Sequence, residues 1–279
     1  MPIVLEGSSV AEEIYKNLAL EISFLPVIPK VVFVLVGDDP ASQTYVRAKE
    51  KKCGELGFQG ETLRLPVDTS QDEILKLIVK LNRDTAVHGI LVQLPLPRLI
   101  DKIKVLTAIA PEKDVDGLHP ENIGRLVRGD ARFKPCTPAG VIEILKFYRI
   151  PLSGKRAVVM GRSDIVGKPA AMLLLAEDAT VTIAHSKTSD LISLTQSADI
   201  LVVAVGKPKF IGLEHVNPTM VIVDVGIHRI DGKLVGDVDF EKVAPVVRAI
   251  TPVPGGVGKM TIAMLMKNVV MAAKLQVAK

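Results

Sequence analysis

A chain of 279 residues, 48% apolar and 24% charged, has the balance of a soluble globular protein and the length for one large α/β domain or two smaller ones. Its 35 basic and 31 acidic side chains leave a net charge of +4, too even for a nucleic-acid surface, and without tryptophan base-stacking platforms are not expected. No apolar run reaches the roughly 18–20 residues of a membrane span, no secretory pattern opens the chain, and Cys53 and Cys136 are too few for a disulfide framework, with no CxxC or HxxxH metal spacing, so a reducing, cytoplasmic setting is expected and no metal.

Strand and helix patterns alternate along the chain. Ser9 with Glu12 predicts a capping box opening a helix from Val10 to about Phe24. A buried-strand run, Val31–Val36, ends in the turn Gly37-Asp38-Asp39-Pro40. A helix around Ser42–Leu56, a strand near Thr62–Val67, a helix near Gln71–Leu81 and a strand His88–Leu94 follow, the last stopped by Leu94-Pro95-Leu96-Pro97. From Pro111 to Pro138 the periodicity weakens, as in a functional or connecting loop with a short helix. Thr137-Pro138 then reads as an N-cap and first helical position, opening a helix to about Tyr148. A second series begins at Arg156: strand, helix from Val166, strand TVTIAH, helix from Asp190, strands ILVVAVG and VIVDVG, a short segment near Lys233–Val238, and a last helix over about Thr261–Leu275. Its apolar face, Ile262, Leu265, Met266, Val269 and Val270, suits a core. Continuous apolar strands separated by helices imply parallel sheets covered on both faces. The expected fold is two-lobed α/β: an amino-terminal α/β lobe over residues 1–136, a Rossmann-type parallel-sheet domain over 137–258, and a helix over 259–279 packing back on the first lobe.

Arg156–Met160 runs into Gly161-Arg162-Ser163-Asp164-Ile165-Val166-Gly167 and then a helix. Gly161 permits a tight turn, and the helix start offers free amides to a pyrophosphate. Ser163 stands where a GxGxxG fingerprint has its second glycine, and the last glycine comes one residue late. An NAD site places a carboxylate about 20 residues on, but here the second strand ends Ala184-His185-Ser186-Lys187-Thr188. Hydroxyl and cationic groups there accept a 2′-phosphate that an acid would repel, and Arg162 can add a bidentate contact. These features favour NADP. Taken singly, Arg162 also fits a solvated arginine and His185 a strand cap. Asp224 reads as a structural carboxylate capping the loop before Gly226, and Gly206 and Gly226 follow strands where a nicotinamide ribose comes close. Gly255–Thr261 is not a Walker loop, because Val253 and Met260 stand where glycine and Ser or Thr are required.

Tyr45 and Lys49 share one helix face at i,i+4. An aromatic plane beside an amine suits a flat heterocycle, the ring stacking while the amine handles protons. With Arg47, Lys51 and Lys52 nearby, the same spacing also fits a basic face in water. Gln93 leaves a buried strand where its amide can hold Lys49, or simply end the strand. Asp114 and Asp116 in PEKDVDG read as paired carboxylates or as an Asp-rich turn.

Seven segments in order, VGDDPASQTYVRAK, VQLPLP, PEKDVDGLHPENIGRL, PCTPAG, GRSDIVGKP, GDVDF and TPVPGGVG, resemble the signatures of methylenetetrahydrofolate dehydrogenase/cyclohydrolase. The resemblance covers most of the chain. It implies two reactions in one cleft: NADP takes a hydride from 5,10-methylenetetrahydrofolate, and water opens the methenyl product to 10-formyltetrahydrofolate. It assigns proton handling to Lys49, stacking to Tyr45, orientation of Lys49 to Gln93 and a pterin hydrogen bond to Asp116, with Ser42 supporting Tyr45 and Gly255, Gly256 and Val257 lining the folate pocket. Gly161, Arg162, Ser163, Ile165, Ser186 and Ile227 would meet NADP, with Thr137 and Thr261 near its nicotinamide. It further implies a homodimer formed through the nucleotide lobes. Lys259 departs from the family's usual proline; it would meet the folate's glutamate tail or a phosphate, or point to solvent, the reading preferred here. An NADP-dependent dehydrogenase acting on another small substrate explains the glycine turn but not Tyr45, Lys49 and Gln93 together. A non-catalytic nucleotide sensor would bind NADP without turnover.

Overall fold

The computed structural model describes residues 2–277. By internal contacts the chain divides into two compact units, one holding the residues up to Glu13 with Pro135–Met264, the other Ile14–Lys134 with the residues from Leu265 onward. Two of the divisions fall inside helices, after Glu13 and after Met264, and the third in the loop before Cys136. The boundary expected at 136 falls at Lys134/Pro135, but the described residues up to Glu13, expected in the first lobe, join the unit of Pro135–Met264. The final helix is likewise shared between the units rather than being a separate segment from 259. Met1, Ala278 and Lys279, within the expected 1–136 and 259–279 segments, lie outside the described residues.

In chain order the elements are β1 (Ile3–Val4), α1 (Gly7–Ser23), β2 (Lys30–Val36), α2 (Pro40–Glu55), β3 (Gln59–Leu65), α3 (Gln71–Arg83), β4 (Gly89–Val92), α4 (Lys102–Ala108) and α5 (Pro120–Arg128). There follow α6 (Cys136–Phe147), β5 (Arg156–Met160), α7 (Gly167–Leu175), β6 (Thr180–Ala184), α8 (Leu191–Gln196), β7 (Ile200–Val203), a 3-10 turn, β8 (Val221–Asp224), the hairpin β9 (His228–Ile230) and β10 (Lys233–Val235), α9 (Phe240–Val243), β11 (Ala249–Ile250) and α10 (Val257–Val277).

The unit containing Ile14–Lys134 is built on a parallel three-stranded sheet, β3-β2-β4. Every residue of β2 after Lys30 is buried. One face of the sheet, Val32, Val34, Val36, Ile90 and Val92, packs on Ile74, Ile78 and Leu81 of α3 and Val105 of α4. On α3 the apolar residues recur at helical spacing while Ser70 and Glu73 close a reciprocal capping box, so its start and its buried stripe are both written locally. The unpaired edge of β4 is met by a parallel bridge from Ile90 to Asp114, with Ile90 donating its N–H to Lys113 O.

The other unit carries an all-parallel six-stranded sheet ordered β1-β11-β8-β7-β5-β6. Strand β5 is the first of its series and lies between β6 and β7, so the order reverses there. A doubly wound sheet opens a crevice at such a point, at the carboxyl ends of the strands. Val158, Met160, Leu201, Val203 and Ile222 face one core layer.

Three local expectations give way to tertiary contacts. Helix α1 begins at Gly7, so Ser9 lies inside it instead of capping it; the free amides of Gly7 and Ser8 are taken by the carbonyl of Gly255. A distant backbone oxygen thus replaces the side-chain cap. Helix α6 begins at Cys136 after Pro135, so Thr137 is not its N-cap, and the Thr137 hydroxyl lies 3.0 Å from that of Thr261. Helix α10 begins at Val257, four residues before the expected start. Among the described residues α10 is also long and apolar enough to cross a membrane by length and composition. Met260, Met264, Leu265, Met266, Val269 and Val270 along it are buried, the pattern of a core helix.

Ile78 is fully buried between α3 and the three-stranded sheet. Ile78→Ala should lower the unfolding free energy by about 2–5 kcal/mol, through lost burial and the cavity left behind. Urea denaturation checks this, and an unchanged midpoint would remove Ile78 from the core.

Candidate active site

In the unit of Ile14–Lys134, polar side chains gather at the carboxyl ends of β2 and β4. The chain leaves β2 through Gly37 and enters α2 at Pro40, whose fixed φ suits a first helical position. The Asp39 carboxylate caps that helix by accepting the Ser42 N–H at 2.7 Å. Ser42 is buried, Tyr45 half-buried, and Lys49, one turn beyond Tyr45, is only 7% exposed. The face is therefore not a solvated basic stripe; Arg47 and Lys51 point outward instead. Burial pushes the Tyr45 phenol above its usual pKa.

Gln93 comes directly off the end of β4, its N–H donating to Val34 O of β2. Its carboxamide is held at both ends. Lys49 Nζ donates to Oε1 at 2.9 Å, while Nε2 donates to Leu94 O at 2.6 Å. This second bond decides which end of the amide faces the lysine, because the nitrogen is already committed.

The acids of PEKDVDG separate. Asp114 is buried and turned inward, accepting from Leu118 N, His119 N and Asn122 Nδ2 at 2.8–3.2 Å. Burial raises its pKa against those bonds. Lys113 is also buried, donating to Leu81 O and Asp84 O, with burial lowering its pKa. These two residues build the turn. Asp116 remains half-buried, and the parallel bridge at Ile90 carries it toward the end of β4 from which Gln93 emerges.

In the nucleotide unit, β5 ends at Gly161, whose φ of 123° is open to glycine but strained for other residues. A Cβ there would lie 2.2 Å from Ala204 O, and one on Gly167 would lie 2.1 Å from Gly161 O. The turn is thus a cradle that side chains would fill. Ser163 faces the start of α7, its Oγ accepting from Val166 N and Gly167 N, each at 3.2 Å. It caps the helix at the place where the general fingerprint has glycine. Arg162 and Ile165 are exposed beside it. After β6, His185 and Thr188 close a tight turn, His185 N donating to Thr188 Oγ1 and Lys187 N to His185 Nδ1, which leaves Ser186 and Lys187 exposed. The next acid, Asp190, caps α8. This strand end thus carries a hydroxyl and an ammonium with no carboxylate, which fits a ribose 2′-phosphate. Ile227 follows β8 and is 45% exposed.

Gly255 and Gly256 form the turn before α10, with Gly255 at φ 111° accepting the first amides of α1. Val257 is buried, Thr261 pairs with Thr137, and Lys259 is exposed.

Residues 5–116 match the tetrahydrofolate dehydrogenase/cyclohydrolase catalytic-domain model, and residues 135–277 match the NAD(P)-binding-domain model of the same family. The chain belongs to that family. The bifunctional protein FolD of Exiguobacterium sibiricum is 53% identical over 277 residues, spanning 98% of this chain and 100% of that protein. The crystal structure of the bifunctional FolD methylenetetrahydrofolate dehydrogenase/cyclohydrolase from Campylobacter jejuni superposes with a TM-score of 0.95 at 47% identity, covering 99% of both chains. That of the Trypanosoma brucei enzyme, complexed with NADP and an inhibitor, superposes at 0.94 with 38% identity, covering 100% of this chain and 99% of that one.

Within this family member, the structure brings Lys49 and Gln93 into direct contact, sets Ser42 and Tyr45 on the same helix, and gathers Gly161, Arg162, Ser163 and Ile165 into one turn. Sequence reasoning missed Asp237 and His228. Asp237 is fully buried, and its carboxylate meets the ring of His228. The available signal was an acid flanked by Gly236 and Val238 in GDVDF, where small and apolar neighbours favour burial and a buried carboxylate needs partners.

Asp224 caps Gly226 as its position suggested, accepting also from Asp237 N and Val238 N. Burial first, and the nearby Asp237 carboxylate to a lesser degree, raise its pKa to about 6 despite those bonds. A carboxyl whose folded value is raised adds stability that is complete below the unfolded value and fades as pH rises through 6. Compared with Asp224→Asn, the wild-type protein should therefore gain up to about 3 kcal/mol between pH 7.5 and pH 4. Denaturant titrations at both pH values test this; a pH-independent difference between the two proteins would contradict it.

Proposed function

We propose that this chain oxidises 5,10-methylenetetrahydrofolate with NADP and hydrolyses the methenyl product to 10-formyltetrahydrofolate, two steps of one-carbon metabolism. The observation that carries this reading is the buried Lys49 amine held by the Gln93 carboxamide at the carboxyl edge of a parallel sheet, in a family member whose second domain binds a nicotinamide dinucleotide.

NADP, when bound, accepts the hydride that leaves the methylene carbon between N5 and N10. The glycine cradle at Gly161 and Gly167 fits its pyrophosphate, and Arg162, Ser186 and Lys187 supply charge and donors for the 2′-phosphate. Ile165 and Ile227 offer apolar contact, and Thr137 with Thr261 a hydroxyl pair for the nicotinamide end. Hydride transfer asks mainly for positioning. Tyr45 gives the pterin a flat partner, Asp116 an acceptor for its ring N–H groups, and Ser42 fixes the first turn beneath Tyr45.

Hydration needs proton movement as well. Water adds to the methenyl carbon and the bond to N5 breaks; the water oxygen becomes the formyl carbonyl, so both of its protons leave, one ending on N5 and the other passing to solvent. Lys49 handles those protons, and Gln93 fixes the direction of its amine. A dehydrogenase acting on some other small substrate would have no use for this arrangement.

We also propose that the protein works as a homodimer in the cytoplasm, without nucleic-acid or membrane partners. Near-even charge, two buried cysteine thiols and a core-type final helix support the cytoplasmic setting without such partners, and the family resemblance supports the homodimer.

Purified protein given methylenetetrahydrofolate and NADP should form NADPH, read by its absorbance; no NADPH formation would overturn the assignment. Lys49→Met should abolish hydration of the methenyl compound while folate still binds, and a near-normal hydration rate would remove Lys49 from the mechanism. Arg162→Ala should weaken the preference for NADP over NAD by about 1.5–3 kcal/mol, the worth of a charge-assisted contact, measured as the ratio of kcat/KM values. An unchanged ratio would leave Arg162 a surface residue.

A further inference from the structure

Asp224 at the end of β8, and Asp237 and His228 in the segment between β8 and α9, are side chains that the reaction does not use. Asp237 is wholly buried, and its carboxylate accepts three bonds. Oδ2 takes the N–H groups of Val205 at 2.7 Å and Gly206 at 2.9 Å, and Oδ1 lies 2.7 Å from His228 Nε2. Facing a carboxylate oxygen, Nε2 must carry the proton and donate. Asp224 likewise accepts from Gly226 N, Asp237 N and Val238 N. The packing admits only glycine alongside: a Cβ on Gly226 would lie 2.4 Å from Asp237 Cγ, and one on Gly236 1.9 Å from Asp224 Oδ2.

What this cluster holds is the carboxyl edge of the sheet. Val205 and Gly206 are the turn after β7, whose Ala204 carbonyl presses on Gly161 of the phosphate cradle. Ile227 sits between two tethers, the Gly226 amide held by Asp224 and the His228 ring held by Asp237, with its side chain presented outward. In the strand order, β6 lies on one side of β5, while β7 and β8 lie on the other. If the end of β6 takes the adenosine 2′-phosphate, the ends of β7 and β8 receive the opposite half of the dinucleotide.

We propose that Asp237 and His228 are positioning residues for the nicotinamide half of NADP, holding the Gly206 turn and Ile227 in place from beneath. The inference rests on the NADP reading above. Asp237 cannot touch the cofactor, being buried; it acts through backbone amides. His228, with 22% of its side chain exposed, supplies the third donor to that carboxylate and anchors the residue next to Ile227. Removing its N–H leaves a buried carboxylate oxygen without its partner, which loosens the turn and the isoleucine together.

The test is calorimetric titration of the full chain at pH 7.5 with NADP and, separately, with adenosine 2′,5′-bisphosphate, which lacks the nicotinamide half. His228→Leu should raise the NADP Kd roughly 10-fold, the scale of one lost charge-assisted bond, and leave the Kd of the bisphosphate unchanged. His228→Gln, which places an N–H donor at similar reach, should restore most of the loss. Equal weakening of both ligands would mean general damage to the domain, and no change in either would mean that the tether is irrelevant; each overturns the inference. Wild-type protein that binds neither ligand would overturn the NADP reading itself, and this inference with it.

Discussion

An amine removed from water keeps its place in a fold only if an acceptor meets it, and Lys49 obtains one from the end of a neighbouring strand. That contact depends on β2 and β4 being parallel and adjacent, since only then does the helix after β2 rise beside the residue that leaves β4. Gln93 is itself held at its nitrogen by Leu94 O, so its oxygen remains turned toward the lysine. Much of the catalytic unit serves this arrangement. Phe33 and Val34 at the middle of β2, with Ile78 on α3, keep the sheet closed to water, and the inward Lys113 and Asp114 pin the segment that carries Asp116 along the edge of β4.

The nucleotide unit answers a different demand, the close approach of backbone to a charged ligand. Gly161 and Gly167 make room that any Cβ would occupy. Ser163 then satisfies two amides at the start of α7 that would otherwise wait for solvent or ligand. A phosphate entering the cradle meets the exposed Arg162 together with a helix start already partly capped. On the far side of the switch point, two buried carboxylates do for the loops after β7 and β8 what Ser163 does for the turn after β5. They accept backbone N–H groups and so fix the direction of the chain.

Much of this was legible without coordinates, because it is written in local periodicity and residue type. The apolar run of β2, the capping box of α3 and the glycine turn after β5 each announce themselves within a few residues. The helical spacing of Tyr45 and Lys49 puts them on one face, and the absence of an acid after β6 is visible by inspection. Other features were not legible, for identifiable reasons. Ser9 and Thr137 have the chemistry of N-caps, yet the helices start before them: the amides of α1 find Gly255 O, and the hydroxyl of Thr137 faces Thr261. Helix α4, capped by Asp101, is only seven residues long, too short for its periodicity to stand out. Asp114 and Asp116 are identical in type and two residues apart, so nothing local says which turns inward.

From the amino-acid sequence alone come the element types, the parallel character of both sheets, the family resemblance and the residues able to stack, donate and move protons. Each of these depends on neighbours within a turn or a strand, or on motifs read in order. The tertiary structure alone decided that Lys49 is buried against Gln93 rather than solvated, that the described residues up to Glu13 belong with the nucleotide unit, and that Asp237 grips the turn after β7. Those outcomes join groups that lie between 31 and 44 residues apart, or more, in the chain. Their free energy comes from burial and from polar groups finding partners once water is gone, and that is set by packing, not by any local pattern.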